Sequence, residues 1–326
     1  MANHQQQQLI NINVLLRLKV FNVVMYDTIK AFCKCNITQF EQLPIYPQII
    51  PEYSKEGVLV GGKTTIKNIY VEFDYIKGEL MINGSLSRYI FGNNFETMER
   101  RQAENAITEI CKKIGIDAKE WSLSRVDVST IFYAGQTMGT IKKILGEVKR
   151  MERTEYKNSI YWGNSNRQLL LYDKTMWAYE NKKNKEIPDI LKNAKWLRAE
   201  MRLLKNIARQ TKTTAKLNLL YNSAFYDKIC EMWLANFKAI GMRGATTTKE
   251  ETDPIKRLLI KMYKDIPQKM ESYVEDTMAE DADKQRRYRF RKKMADLKQK
   301  AITAMEGAEK KYKEFQKALI TAKSVH

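Results

Sequence analysis

Alternation of apolar and polar positions dominates residues 25–204. Residues 27–37 and 66–75 are rich in β-branched and aromatic side chains, and Lys77-Gly78 would turn the second stretch back through 79–82 as a hairpin. The period then changes. Ala103, Ile107, Ile110 and Ile114 recur at helical spacing, with Asn94 as a candidate cap and Gly115 as the stop. A strand is predicted over 121–133 and a helix over 140–150, its apolar face made of Ile141, Ile144, Leu145 and Val148. A second hairpin runs from 159–162 through the polar turn 163–167 to 168–174. Residues 196–204 read as one more strand, although 195–206 is also helix-prone.

Paired strands with interspersed helices predict an α+β fold, an antiparallel sheet with flanking helices, rather than a doubly wound parallel one. Beyond residue 204 nothing β-like returns, and an all-helical C-terminal region is expected. Residues 218–240 and 254–270 read as helices separated by a Gly/Ser/Thr-containing linker over 241–253. Met294, Leu297, Ala301, Ala304, Ala308, Tyr312, Phe315, Leu319 and Ala322 form one stripe of a long helix. The expected organisation is an N-terminal extension over 1–24, a folded domain over 25–204, a helical segment over 205–246 and a basic helical region over 247–326.

With 326 residues, 44% of them hydrophobic, the chain is long enough to bury a proper core. Its 57 Lys and Arg against 38 Asp and Glu leave a net charge of +19, which favours a polyanionic partner such as nucleic acid or an anionic membrane surface. A membrane-spanning helix is not expected: the most apolar run, 9–24, is interrupted by Asn11, Asn13, Arg17, Lys19 and Asn22. Cys33, Cys35, Cys111 and Cys230 are too few for a disulfide scaffold, so the cytoplasm is the expected compartment. The two histidines, His4 and His326, leave carboxylates to hold any metal, which suits Mg²⁺ or Mn²⁺.

Two charged motifs each have two readings. Residues 284–326 carry 14 Lys and Arg against 4 Asp and Glu, more than half of the net charge. Within them Arg286, Arg287, Arg289, Arg291, Lys292 and Lys293 alternate with Tyr288 and Phe290, a pattern suited to gripping phosphates and stacking on unpaired bases, or else a solvated helix face. The string Gly57-Val58-Leu59-Val60-Gly61-Gly62-Lys63-Thr64 spells a phosphate-binding loop. Its β-rich surroundings favour a Gly-Gly turn between strands instead.

Three polar stripes carry more chemistry. On strands, Arg125, Asp127 and Ser129 share one face, as do Leu170, Tyr172 and Lys174, and Arg198, Glu200 and Arg202. If the stripes meet, a phenol, two carboxylates and several cations converge, a set able to move a phosphodiester bond to tyrosine without ATP. Tyrosine ionises only near pH 10, so a metal or Lys174 must help hold the phenolate. The plainer alternatives are an Arg125–Asp127 ion pair, an amphipathic Tyr172 and a solvent-facing Glu200.

These segments resemble the replication initiators of filamentous phages, the gene II/gene X family, and more distantly the plasmid rolling-circle initiators with a tyrosine nuclease domain. The resemblance runs in order through Met25-Tyr26-Asp27-Thr28-Ile29-Lys30, then Ile82-Asn83-Gly84-Ser85-Leu86-Ser87-Arg88-Tyr89 with Gly92-Asn93-Asn94, then Leu123-Ser124-Arg125-Val126-Asp127-Val128. It continues through Ile160-Tyr161-Trp162-Gly163-Asn164-Ser165, Leu171-Tyr172-Asp173-Lys174 and Leu197-Arg198-Ala199-Glu200. It implies that 25–204 is a nicking-joining domain related to the HUH nucleases, without their paired histidines. Such a protein nicks one strand of single-stranded or supercoiled DNA at an origin, stays on the 5′ phosphate and leaves a 3′ hydroxyl for host polymerase and helicase machinery. The bacterial cytoplasm would be its location.

On this resemblance Asp127 and Glu200 are the expected metal ligands, with Glu72 or Asp74 as a third. Tyr172 is the expected nucleophile and Tyr161 the reserve choice. Lys174, Arg125 and Arg198 are expected to position phosphate or carboxylate, and the C-terminal basic run to bind the origin or displaced strand. A non-catalytic DNA-binding replication accessory protein is one alternative, and a P-loop NTPase using residues 57–64 the other.

Overall fold

The computed structural model describes residues 24–96, 98–180, 196–243 and 284–323. Alternation of buried and half-exposed residues makes β1 (Met25–Lys34) a strand with one core face. A short helix, α1 (Ile37–Glu41), and the edge strand β2 (Ile50–Tyr53) follow. Next come β3 (Leu59–Ile66), β4 (Ile69–Asp74) and β5 (Glu79–Ser85), then α2 (Leu86–Phe91) and α3 (Arg100–Ile114). The central strand β6 (Ser122–Tyr133) leads to α4 (Met138–Ile144), the meander β7 (Glu152–Tyr156), β8 (Ser159–Gly163) and β9 (Arg167–Asp173), and α5 (Lys174–Glu180). Strand β10 (Trp196–Leu203) precedes α6 (Ile207–Thr211), α7 (Ser223–Lys238) and the long α8 (Lys284–Lys323).

The strands form one sheet in the order β2-β3-β4-β5-β1-β6-β10-β9-β8-β7. Every pairing is antiparallel. The middle is therefore built from strands distant in sequence, and the two wings from local hairpins. One face buries Ile29, Val71, Ile82, Val126, Leu171 and Met201 together with Ile107 of α3, Trp233 of α7 and Phe315 of α8. Trp233 Nε1 donates to the Ala199 carbonyl at 3.2 Å, fastening α7 to β10. Along α8, Met294, Leu297, Ala301, Ala308, Phe315 and Leu319 are buried, and Tyr312 donates to the Ile240 carbonyl at 2.5 Å. No helix among the described residues is long and apolar enough to cross a membrane.

Several expectations need correction. Gly61 and Gly62 lie within β3 rather than in a turn. A Cβ on Gly61 would stand 2.7 Å from the Phe73 carbonyl oxygen, so the close approach of β4 is what requires glycine there. No helix follows Thr64, and Lys63 ion-pairs with Glu52 across the hairpin, so the phosphate-loop reading fails. Asn94 does not cap α3; the capping box is made by Glu99 and Gln102. The helix predicted over 140–150 begins at Met138 behind a Thr137 cap and ends at Ile144. The strand expected over 196–204 is, by contrast, present as Trp196–Leu203, held between β6 and β9 despite its helix-prone sequence. The N-terminal extension up to residue 23, the 254–270 helix and most of the 241–253 linker lie outside the described residues.

Candidate active site

The uncovered face of the sheet bears a cleft of about 740 Å³ over β1, β6, β10, β9 and β8, and Asp27, Asp127, Glu200, Tyr172, Tyr161 and Arg202 all line it. Register explains the convergence. Arg202 pairs with Asp127 and Glu200 with Ser129 across β6, while Arg198 pairs with Tyr172 and Glu200 with Leu170 across β9. Cross-strand partners share a face, so the three stripes meet in the middle of the sheet.

Asp127 is held by a fork from Arg125, with Nε to Oδ1 at 2.8 Å and Nη2 to Oδ2 at 2.5 Å. The Arg202 Nε atom lies 2.6 Å from Glu200 Oε1 and 3.8 Å from Asp127 Oδ2. One guanidinium nitrogen therefore spans both carboxylates. Burial, and then the neighbouring Glu200 charge, push the Asp127 carboxyl up to about 7 despite the Arg125 fork.

Asp27 enters through a bulge. Between the pairs Tyr26–Val128 and Ile29–Val126, Asp27 and Thr28 together oppose Asp127 alone. The Asp27 side chain accepts from Ser85 Oγ at 2.7 Å and Ser87 Oγ at 3.2 Å, and it ion-pairs with Arg198. Burial works against its ionisation, but the Arg198 guanidinium and the two hydroxyls outweigh that and hold the carboxyl below its ordinary range. Arg198, wholly buried, also donates from Nη1 to the Asn94 carbonyl at 3.0 Å and places Nε 3.6 Å from Glu200 Oε2.

Tyr172 is half-buried on the cleft wall, its ring 6.4 Å from that of Trp177. Its hydroxyl makes no hydrogen bond among the described residues. Burial raises its pKa, Arg198 works against this, and the Glu200 and Asp27 charges add to it. Tyr161 stands one strand away, opposite Leu170, with its ring 5.1 Å from Tyr156.

Lys174 lies behind the cleft instead of in it. The side chain is wholly buried, donates to Asn94 Oδ1 at 2.9 Å, and sits 4.3 Å and 4.0 Å from the ring centres of Phe95 and Trp177. Burial pushes its pKa well below that of a free lysine, and its contacts Asn94 and Trp177, rather than Lys174 itself, line the cleft.

Glu72 and Asp74 are not brought to the site. Both are on β4, three strands from β6, a separation of about 14 Å and beyond the reach of a shared ion. Asp74 instead caps the β4–β5 turn, accepting from the Ile76 and Lys77 amides at 3.0 and 2.9 Å. Asp27 is the third acid of the sheet centre in the cleft, but it is engaged by Arg198 and does not complete a three-ligand metal group with Asp127 and Glu200. Its signal was the one acid of β1, and Asp27, Ser85, Ser87 and Asn94 all lay in segments that already carried the resemblance.

No group of three or more potential metal ligands converges among the described residues. Asp127 and Glu200 nevertheless suit a hard cation. They are two buried oxygen donors of like charge, and Mg²⁺ is commonly bound by one or two carboxylates with water and phosphate oxygens completing its shell. Arg291, Lys292 and Lys293 are exposed on α8, whose Phe315 packs 6.1 Å from Phe132 on the face opposite the cleft. The side chains of Arg286, Arg287 and Arg289 lie outside the described residues.

An antiparallel sheet with α3, α7 and α8 packed on its core face and a tyrosine, carboxylates and arginines lining a cleft on the other defines an α+β protein. The family described as the N-terminal part of the phage replication-associated gene II protein matches residues 64–227, which include Asp127, Tyr172, Arg198 and Glu200. The chain belongs to this family and is a replication initiator of the filamentous-phage gene II type. No curated protein matches the chain.

Proposed function

We propose that the protein is an ATP-independent, metal-dependent nickase and strand transferase that starts rolling-circle replication. Tyr172 Oη attacks the scissile phosphorus, the bond from phosphorus to the 3′ oxygen breaks, and the 5′ phosphate remains on tyrosine. The phenol gives up its proton in this step, and the departing 3′ oxygen takes one up. Reversal by a 3′ hydroxyl rejoins the strand. Arg198, directly across from Tyr172, offsets the phenolate charge, and Asp27 holds Arg198 in place. Asp127 and Glu200 would hold Mg²⁺ or Mn²⁺, which supplies Lewis-acid polarisation of the phosphate. Arg125 and Arg202 are then free to turn towards phosphate oxygens.

The observation that carries this reading is the unbonded Tyr172 hydroxyl on the same cleft wall as the Asp127–Glu200 pair. The test is a covalent-adduct assay on supercoiled and single-stranded origin DNA with Mg²⁺ or Mn²⁺, the attached residue being mapped by mass spectrometry. Tyr172→Phe should abolish both nicking and adduct. An adduct on Tyr161 would move the nucleophile one strand over. A non-catalytic DNA-binding role is the second reading, favoured by the arginine on every carboxylate of the Asp27, Asp127 and Glu200 set; it requires Asp127→Ala and Glu200→Ala to leave replication intact. The DNA partner is an origin, the 3′ hydroxyl passes to host polymerase while host helicase is a further partner, and the host cytoplasm is where this takes place.

A further inference from the structure

Strands β4, β5 and β1 show the same two-sided pattern. Ile69, Val71, Phe73, Leu80, Ile82, Ile29 and Ala31 are buried, whereas Tyr70, Glu72, Met81, Asn83, Lys30 and Phe32 are only half-buried. The second set lies on the cleft face, and the first lies in the shared core. Strand partners place Thr65, Tyr70, Asn83, Lys30 and Arg125 in one row across five strands. The row is about 19 Å long. Its Asn83 and Arg125 already line the cleft, so it starts inside the candidate active site.

Three features of the row and of Phe32 beside it are not accounted for by stability. Lys30 directly opposes Arg125, and facing like charges on adjacent strands are unfavourable. Arg125 is neutralised by Asp127, but Lys30 has no ion pair among the described residues. Tyr70 and Phe32 keep aromatic surface in solvent on a sheet face, with no ring packed on either among the described residues. A free cation with one aromatic platform two strands away in its row, Tyr70, and another two residues along its own strand, Phe32, matches a strand whose phosphates need a counter-charge and whose bases need a flat partner. In a duplex the base faces are already stacked on one another, so only an unpaired strand can use such platforms.

We propose that this uncovered face of β3, β4, β5 and β1 is a track for single-stranded DNA leading out of the cleft, with Lys30 on a phosphate and Tyr70 and Phe32 under bases. The track rests on the nickase reading for what the cleft itself holds. The test uses the full chain and fluorescence anisotropy with a labelled single-stranded DNA of mixed sequence, and the same sequence as duplex. Lys30→Gln should weaken single-strand binding severalfold at about 0.1 M salt and reduce the log–log salt slope by about 0.7. Tyr70→Leu and Phe32→Leu should each weaken it about tenfold with the slope unchanged. Duplex binding and melting temperature should stay at wild-type values.

Single-strand affinities at the wild-type level in both aromatic variants would overturn the track, as would equal losses on single strand and duplex. The adduct assay separates the two claims. A wild-type protein that forms no adduct, with the three variants still losing single-strand affinity, removes the nickase and leaves the track. Normal adduct and normal affinity in the variants remove the track and leave the nickase.

Discussion

The Asp27–Arg198 pair allows a sharp test of how the site is held together. Both groups are buried, and removing one partner of a buried pair leaves the other charge uncompensated, at a cost of about 3–5 kcal/mol. Asp27→Asn keeps the oxygen that Ser85 and Ser87 donate to, but it removes the charge and the oxygen that accepts from Arg198, so a cost of at least about 3 kcal/mol is expected. About 3 kcal/mol corresponds to a melting temperature lower by about 6–12 °C in a chain with a core of this size. Arg198→Met should cost a similar amount, because Asp27 then loses its cation while staying buried. The double variant has neither charge and should recover at least about 2 kcal/mol relative to the sum of the singles. The pH dependence has a definite sign. With its folded pKa below the unfolded value of about 3.9, Asp27 stabilises the protein at higher pH, and that contribution is lost as pH falls through the folded value. The gap between wild type and Asp27→Asn should therefore be widest near neutrality and close in acid. Calorimetric or circular-dichroism melts of the four proteins provide the cycle. Additivity within about 0.5 kcal/mol would refute the pairing.

Three further outcomes are expected. Asp127→Asn and Glu200→Gln should each lower nicking by about 10²-fold or more while leaving the fold intact, and Mn²⁺ titration of the nicking rate should show weaker metal dependence in both. Lys174→Met should raise the melting temperature at pH 7, because a lysine with a depressed folded pKa destabilises the native state at every pH below the unfolded value of about 10.4; the gain should vanish in melts above that pH. Phe315→Ala, which empties a wholly buried site against Phe132, should cost about 3–5 kcal/mol by denaturant unfolding and leave the cleft chemistry unchanged at permissive temperature.

The elements with a strong local period were legible in the sequence. The hairpins β4–β5 and β8–β9, the strand β6 and the stripe of α8 all carry their own pattern and punctuation, and they stand where the pattern puts them. Edge strands β2 and β7 were not. Ile50, Glu52 and Tyr53 of the first and most of the second are exposed or half-exposed, so neither has the alternation that marks a half-buried strand. Asn94 had the chemistry of a helix cap, and only the folded chain shows its carbonyl and amide oxygens engaged by Arg198 and Lys174 instead.

The carboxylates show where local reading gives way to tertiary register. Asp127, Tyr172 and Glu200 meet because β6, β10 and β9 are adjacent, and alternation within each strand already placed them on matching faces. Choosing a third acid needed the order of strands. Glu72 and Asp74 have the right face parity on a well-formed hairpin, yet three strand spacings separate them from Asp127. Asp27 lies on the strand next to Asp127, but regular alternation between buried Tyr26 and buried Ile29 cannot assign a face to both Asp27 and Thr28. The bulge resolves the conflict by giving two residues of β1 to one of β6, which turns Asp27 into the cleft towards Arg198. Deleting Thr28 would leave one residue between the Tyr26–Val128 and Ile29–Val126 pairs, so β1 would pair regularly and keep its faces, with Asp27 alone opposite Asp127. Two carboxylates would then face each other directly across adjacent strands, so the deletion should lower the melting temperature and the nicking rate together.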